Sequence, residues 1–304
     1  MHIDAIEGHP LPVLLVHGWL NADCDPGITL EMQDGAIVAP DCFFRVSRPD
    51  VRAAGASNLD FPGFVAEFHL VTLPRMVRVG GQNYPVDHPE LYGSVVPHYA
   101  DLLNTNRILR RSDIYGSGPP LDANPDIVTI AKGMSGPLLD FGCGNGDLLA
   151  KVRQSGTEAF GIELDREPIS RCLKSTAAPF VTLYRGDLPL PYANGQFAST
   201  LSSEVLEHID GVEPYAAEIA RVTRHSLFVT VPDMSSIPFS FQTGTVPWHL
   251  LESTHVNFFT SQSMVALFKD WFQPVKFFRF NNNSVHSKFI PGSLGVMFKR
   301  VNSN

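Results

Sequence analysis

Residues 204–208 read E-V-L-E-H, which places Glu204, Glu207 and His208 at spacing i, i+3 and i+4. On a helix beginning here the three side chains share one face. Two carboxylates and an imidazole converging on one spot suit a hard divalent cation. Without a metal, His208 or Glu207 is a candidate general base, and the bland alternative is that both only pack or cap a helix. A second chemistry-bearing string lies upstream, where residues 140–146 read D-F-G-C-G-N-G directly after the apolar run Pro137-Leu138-Leu139. Glycines at alternate positions let backbone approach a ligand closely at a strand-to-helix turn. The spacing G-x-G-x-G differs from the G-x-G-x-x-G of dinucleotide binders, position 147 is Asp, and no Walker lysine follows.

These strings need a scaffold, and the pattern from Gly136 onward supplies one by alternating strands and helices, as in a mostly parallel sheet covered by helices. A first strand ends at Asp140, and its helix starts near Gly146 and buries Leu148, Leu149 and Val152. Further strands are expected at Ala159–Leu164, Val181–Arg185, up to about Ser202, and at Leu227–Val231 before Pro232. Val275–Phe280 and Leu294–Lys299, with no helical pattern between them, read as an antiparallel C-terminal hairpin. The first 85 residues differ in texture. Short β-type runs at Val13–Val16, Ile28–Met32, Phe43–Val46 and Gly63–Val71 are separated by turn residues, with Asp34-Gly35 as a hairpin dipeptide. This predicts a small β-sandwich over 1–85, a Pro-rich connector over 86–135 with a helix at His98–Leu109, and an α/β domain over 136–304.

The chain of 304 residues is long enough for two domains, and its formal charge of −8 disfavours a dedicated nucleic-acid binder. No run reaches the length of a membrane span, and Leu11–Val16 reads as a buried strand, not as a signal peptide. The four cysteines (Cys24, Cys42, Cys143, Cys172) do not form a disulfide framework, so a reducing cytoplasmic setting is expected, with Cys143 packed as a small residue in the glycine turn.

With an acid two positions before its first glycine, the 140–146 turn resembles motif I of class I S-adenosylmethionine-dependent methyltransferases, which have a Rossmann-like sheet. The likeness covers the 136–304 region and implies a cofactor site. Gly142 and Gly144 would face the methionine part of S-adenosylmethionine, Asp140 would anchor the turn or meet the amino group, and Cys143 would belong to the same cofactor site. Glu163, about twenty residues past the turn and beside Leu164, would accept the ribose hydroxyls. Asp187 and Leu188, within Gly186-Asp187-Leu188, would take the adenine, and Ser203 and Glu204 would flank the sulfonium. E-x-x-E-H at this place is similar to ubiquinone-pathway O-methyltransferases and small-RNA 2′-O-methyltransferases, where it holds a metal. His255-Val-Asn-Phe-Phe-Thr resembles the segment that adds a histidine in the RNA enzymes. The implied ligands are Glu204, Glu207, His208 and His255, for Mg2+ or Mn2+.

VHGWL at 16–20, RPDV at 48–51 and GFVAEF at 63–68 resemble a sandwich module of bacterial glycan-modifying enzymes. The expected function is therefore O-methylation of a glycan or a small hydroxylated acceptor. Two alternatives remain: a non-catalytic binding module that keeps the fold, and 2′-O-methylation of RNA. Phe239, Phe241, Trp248 and His249 lie where an acceptor lid is expected, whereas His286 reads as a loop residue. The oligomeric state is not legible.

Overall fold

Side chains along Val13–Trp19 and Gly63–His69 alternate between the two faces of a sheet, and that alternation organises the first part of the chain in the computed structural model. The structure describes residues 1–9, 13–69, 74–85, 122–165, 173–235, 252–280, 283–285, 288–290 and 292–301, with the single residues 237 and 250. The expected helix at His98–Leu109, the aromatic group of Phe239, Phe241, Trp248 and His249, and Cys172 and His286 lie outside the described residues.

The chain divides into two units. The first comprises residues 1–107 together with 235–247 and 276–292. Both later stretches are read from the sequence as parts of the α/β domain; in the second of them Phe277–Arg279 pairs in parallel with Phe44–Val46, a contact that no local pattern marks. Its strands are β1 (His2–His9), β2 (Val13–Trp19), β3 (Thr29–Met32), β4 (Ile37–Val38), β5 (Cys42–Val46), β6 (Gly63–His69), β7 (Pro74–Val79) and β8 (Gln82–Pro85), with a short helix α1 (Pro49–Ala53) after β5. One antiparallel sheet has the order β1-β2-β6-β5, and the other has the order β4-β3-β7-β8. Asp34-Gly35 makes the β3–β4 turn, where Gly35 has φ 84° and Asp34 Oδ1 accepts from the Ala36 N–H. Leu14, Val16, Phe64, Ala66 and Phe68 from one sheet share a core with Leu30, Met32, Val77 and Val79 from the other.

The opposite face of β2, β6 and β5 carries Leu15, His17, Val65, Glu67 and Phe44. Here a charged pair is buried: Arg279 Nη2 donates to Glu67 Oε2 at 2.7 Å, and the guanidinium lies 3.7 Å from the centre of the Phe44 ring. Arg279 is only 1% exposed. Burial, and then the charge of Arg279, lower the His17 pKa to about 4, so this imidazole is neutral.

The second unit comprises 108–234, 248–275 and 293–304. Its elements are α2 (Pro125–Lys132), β9 (Leu138–Phe141), α3 (Asp147–Gln154), β10 (Ala159–Leu164), β11 (Val181–Tyr184), β12 (Phe197–Ser203), α4 (Val212–Val222), β13 (Thr223–Pro232) and α5 (Ser261–Phe268). After them come β14 (Phe272–Phe280), whose residues from Lys276 onward fall in the first unit, the short antiparallel pair β15 (Asn283–Val285) and β16 (Lys288–Ile290), also of the first unit, and β17 (Ser293–Arg300) of the second. Strand order in this unit runs β17-β13-β12-β9-β10-β11. All neighbours are parallel except β13 and β17, which run antiparallel. β9 and β12 are buried along nearly their whole length, and β12 buries Ser199, Thr200 and Ser202 along with its apolar residues. α2 starts with an Asn124 cap and Pro125, and α5 with a Thr260–Ser263 capping box. The strand order reverses between β9 and β12, the place where open α/β sheets bind ligands beyond the carboxyl ends of their strands. No helix among the described residues is long and apolar enough to cross a membrane.

The Glu67–Arg279 pair gives a stability prediction. Glu67→Ala leaves a buried guanidinium uncompensated and should cost about 3–5 kcal/mol in denaturant unfolding of the full chain. A double replacement of Glu67 and Arg279 by leucine should cost clearly less. Equal losses would show that the charges themselves contribute nothing.

Candidate active site

Gly142, Gly144 and Gly146 take φ values of 78°, 54° and 77°, the left-handed region that side chains disfavour. A Cβ on Gly142 would lie 2.4 Å from Val205 Cγ2, whereas one on Gly144 would meet nothing within 4 Å. The turn therefore presses on the protein at Gly142 and opens onto a cleft at Gly144. Its backbone is held from β10, where the Ile162 carbonyl accepts from the Gly142 and Cys143 N–H groups. Glu163 adds two further bonds, accepting from Gly144 N–H at Oε2 and from Leu164 N–H at Oε1, both at 2.8 Å. The carboxylate expected to meet a ribose thus also clamps the glycine turn. Each of its oxygens keeps a second lone pair for a ligand.

The cleft has a volume of about 190 Å³ and is lined by Asp140, Gly142, Cys143, Gly144 and Ser203, with Asn124 and Ile127 of the α2 segment among the opposing residues. Asp140 is buried, and its Oδ2 accepts no hydrogen bond among the described residues. Burial, and then the charge of Glu163, raise its pKa to about 7. An anionic oxygen without a donor, next to a glycine cradle, fits the amino group of a methionine moiety. Cys143 is packed against Gly161, and burial followed by Asp140 and Glu163 pushes its thiol pKa upward, so it is a packing residue and not a nucleophile. Ser203 bonds Thr230 Oγ1 at 2.9 Å while lining the cleft. Leu164 contacts the backbone at Gly186, whose carbonyl accepts from Tyr215 Oη at 2.7 Å. Asp187 is exposed and Leu188 partly buried beyond β11, and neither lines the glycine cleft.

Asp147, which occupies the position of a third dinucleotide glycine, has a different use. It accepts from Ala123 N–H at 2.8 Å, from Lys151 Nζ at 2.6 Å and from Lys174 Nζ, so it ties the α2 segment to the start of α3. Burial raises its pKa, but the bonds from Lys151 and Lys174 outweigh this and hold it at about 2.

The E-V-L-E-H string does not begin a helix. Glu204 is the one described non-glycine residue with positive φ (55°), and a 3₁₀ turn follows at Leu206–His208. The i, i+3, i+4 geometry is therefore replaced by a sharp bend. Its strained conformation is held by the Glu204 N–H bond to the Thr230 carbonyl and by Ser293 Oγ, 3.4 Å from Oε2. The bend keeps Glu207 and His208 together, while Glu204 stands outside their group. Burial raises the Glu204 pKa to about 7.

His255 joins from far along the chain. The Glu207 carbonyl accepts from the Val256 and Asn257 N–H groups at 2.8 and 3.0 Å, and Asn257 Nδ2 donates to the Leu206 and Ile209 carbonyls. The His208 and His255 rings are thereby 4.7 Å apart, and one ligand atom from each of Glu207, His208 and His255 lies within 4.8 Å of the others. Glu207 is 1% exposed, and neither carboxylate oxygen accepts a hydrogen bond among the described residues. His208 Nε2 stands 3.9 Å from Oε1. Burial, and then Glu204, push the Glu207 pKa well above its usual range. A buried carboxylate short of donors beside two imidazoles fits a cation as its missing partner. Sequence reasoning missed Thr254 and Glu252: Thr254 Oγ1 lies 2.9 Å from His208 Nδ1 and donates to Glu252 Oε1. Nothing in their local pattern marks them.

The methyltransferase domain family model matches residues 120–271, half of the chain. The chain belongs to this family and is an S-adenosylmethionine-dependent class I methyltransferase. Among solved structures it is similar to a SAM-dependent methyltransferase from Archaeoglobus fulgidus, at 15% identity over 57% of this chain and 89% of that one, with a TM-score of 0.45. It is also similar to geranyl diphosphate C-methyltransferase from Streptomyces coelicolor, seen with Mg2+, geranyl diphosphate and S-adenosyl-L-homocysteine, at 14% identity over 58% and 76% of the two chains, with a TM-score of 0.42. No curated protein matches the chain.

Asp140 yields a pH prediction. Its folded pKa of about 7 exceeds the ordinary 3.8, so between these values the folded chain keeps a proton that the unfolded chain has lost. Its contribution to stability therefore falls as pH rises through this window and is fully unfavourable above about pH 7. Asp140→Asn should raise the melting temperature of the ligand-free protein at pH 8 by several degrees, and much less at pH 4. The same variant should bind S-adenosylhomocysteine at least tenfold more weakly in calorimetry. Unchanged affinity would remove Asp140 from the cofactor site.

Proposed function

We propose that this methyltransferase acts on oxygen, on a glycan or a small hydroxylated acceptor, with a divalent cation, Mg2+ or Mn2+, held by Glu207, His208 and His255. The observation that carries this reading is the buried Glu207 carboxylate, without a hydrogen-bond donor and within reach of two imidazoles. Bound S-adenosylmethionine supplies a methyl group on a good leaving group, so orientation of the nucleophile matters more than acid catalysis. A bound cation supplies positive charge that lowers the pKa of an acceptor hydroxyl.

The chain's own residues do the rest. Asp140 receives the cofactor's amino group, Glu163 the ribose, and Asp187 with Leu188 the adenine. Ser203 and Glu204, at the end of β12, border the reacting centre. We place Glu204 there, and not among the metal ligands, because Glu207, His208 and His255 are the residues whose ligand atoms lie within 4.8 Å of one another. His208 offers a second route, as a general base without metal, favoured by its partial exposure beside the buried Glu207. The two-sheet first unit is where we place acceptor recognition, and a cytoplasmic setting fits the free cysteines Cys24, Cys42 and Cys143. RNA is the weaker acceptor because the net charge is −8. A retired, binding-only protein would have no use for a buried carboxylate that lacks a partner.

The test is a calorimetric titration of Mn2+ into chelator-treated full-length protein. The expected result is micromolar binding that weakens at least tenfold in Glu207→Gln, with S-adenosylhomocysteine affinity unchanged within twofold. Absence of Mn2+ binding to the unaltered chain would overturn the cation and leave His208 as base.

A further inference from the structure

Four hydrogen bonds around Thr254 determine which nitrogen of His208 carries its proton. Thr254 Oγ1 donates to Glu252 Oε1 at 2.9 Å, and the Thr254 N–H donates to the same oxygen at 2.9 Å. With its proton committed to the carboxylate, this hydroxyl can only accept from His208 Nδ1, which lies 2.9 Å away. The Thr254 carbonyl, 3.2 Å from the same nitrogen, is an acceptor in every state. Both contacts demand a proton on Nδ1. A neutral imidazole has one N–H, so the lone pair falls on Nε2, the atom that stands 3.9 Å from Glu207 Oε1.

Glu252 gives this arrangement its direction. The residue is 2% exposed, and Oε2 accepts no hydrogen bond among the described residues. A buried carboxylate is costly, and here it is spent on a threonine two residues away. Its charge keeps the Thr254 hydroxyl oriented as a donor to it, and therefore as an acceptor toward the imidazole. A neutral group at 252 would let the hydroxyl rotate and donate to Nδ1, which would move the ring proton to Nε2 and hide the lone pair.

We propose that Glu252 and Thr254 are positioning residues that lock His208 in the Nδ1–H tautomer and present Nε2 toward Glu207 and His255. The lock stands on hydrogen-bond geometry alone. Its use, to make Nε2 a cation ligand or a proton acceptor, rests on the function proposed above. Removing such outer partners of a metal-bound histidine weakens metal affinity by roughly 10–100-fold.

The experiment is long-range ¹H–¹⁵N spectroscopy of the full-length, chelator-treated protein at pH 8.5, with the His208 resonances assigned by His208→Gln. The unaltered chain should show a protonated Nδ1 and an unprotonated Nε2. Thr254→Ser, which keeps the hydroxyl, should match it. Thr254→Val and Glu252→Gln should show a mixed tautomer population and bind Mn2+ about tenfold more weakly, with melting temperatures close to that of the parent. A protonated Nε2 in the unaltered chain overturns the proposal, without reference to any variant's folding. So do tautomer spectra that Thr254→Val and Glu252→Gln leave unchanged. A locked tautomer in a chain that binds no Mn2+ upholds the lock and removes the cation reading instead.

Discussion

Backbone that bends through left-handed conformations at the carboxyl ends of β9 and β12 is the constraint on which the second unit depends. At β9 the bend is made of glycines, and the Glu163 carboxylate and the Ile162 carbonyl hold it from the neighbouring strand. At β12 the bend is Glu204, a residue that resists this conformation and is kept in it by bonds from Thr230 and Ser293. The two bends sit side by side because β9 and β12 are neighbours at the point where strand order reverses. One opens the cofactor cleft, and the other turns Glu207 and His208 toward His255. Both are required, since a straight continuation of either strand would fill the cleft or carry the acidic pair away from it.

Buried charge is handled in two different ways. In the first unit Glu67 and Arg279 satisfy each other, and the guanidinium also rests on Phe44. In the second unit Asp140 Oδ2 and both Glu207 carboxylate oxygens are buried and accept no hydrogen bond among the described residues. Both of these acids have raised pKa values, with burial as the largest cause. A folded chain tolerates such groups where a ligand completes them, which is why we propose that Asp140 serves the cofactor side and Glu207 the acceptor side of one site.

The alternation of strands and helices, the glycine turn and the strand-end positions of Asp140, Glu163 and Ser203 were legible in the linear chain. Each depends on interactions of short range: apolar periodicity for the strands, φ preference for the glycines, and strand-end placement for the acids. The E-V-L-E-H string shows where this kind of reading stops. Its spacing implied a helical face with three ligands, but tertiary bonds from Thr230 and Ser293 hold Glu204 in a left-handed bend and leave it outside the group. Local periodicity carries no information about that competition.

The sequence by itself determined the class of fold and the cofactor cradle, because residues 138–164 contain both the strands and the turn that joins them. The resemblance grouped His255 with Glu207 and His208, but only the tertiary structure supplied the bonds that bring them together. The Glu207 carbonyl accepts from the Val256 and Asn257 N–H groups, and Thr254, bonded to Glu252, reaches His208 across 46 residues. It also decided that Phe277–Arg279 pairs with Phe44–Val46. The physical reason is common to all of these: the deciding hydrogen bonds and ion pairs join residues far apart in the chain. Their energy depends on distances that only the folded packing sets.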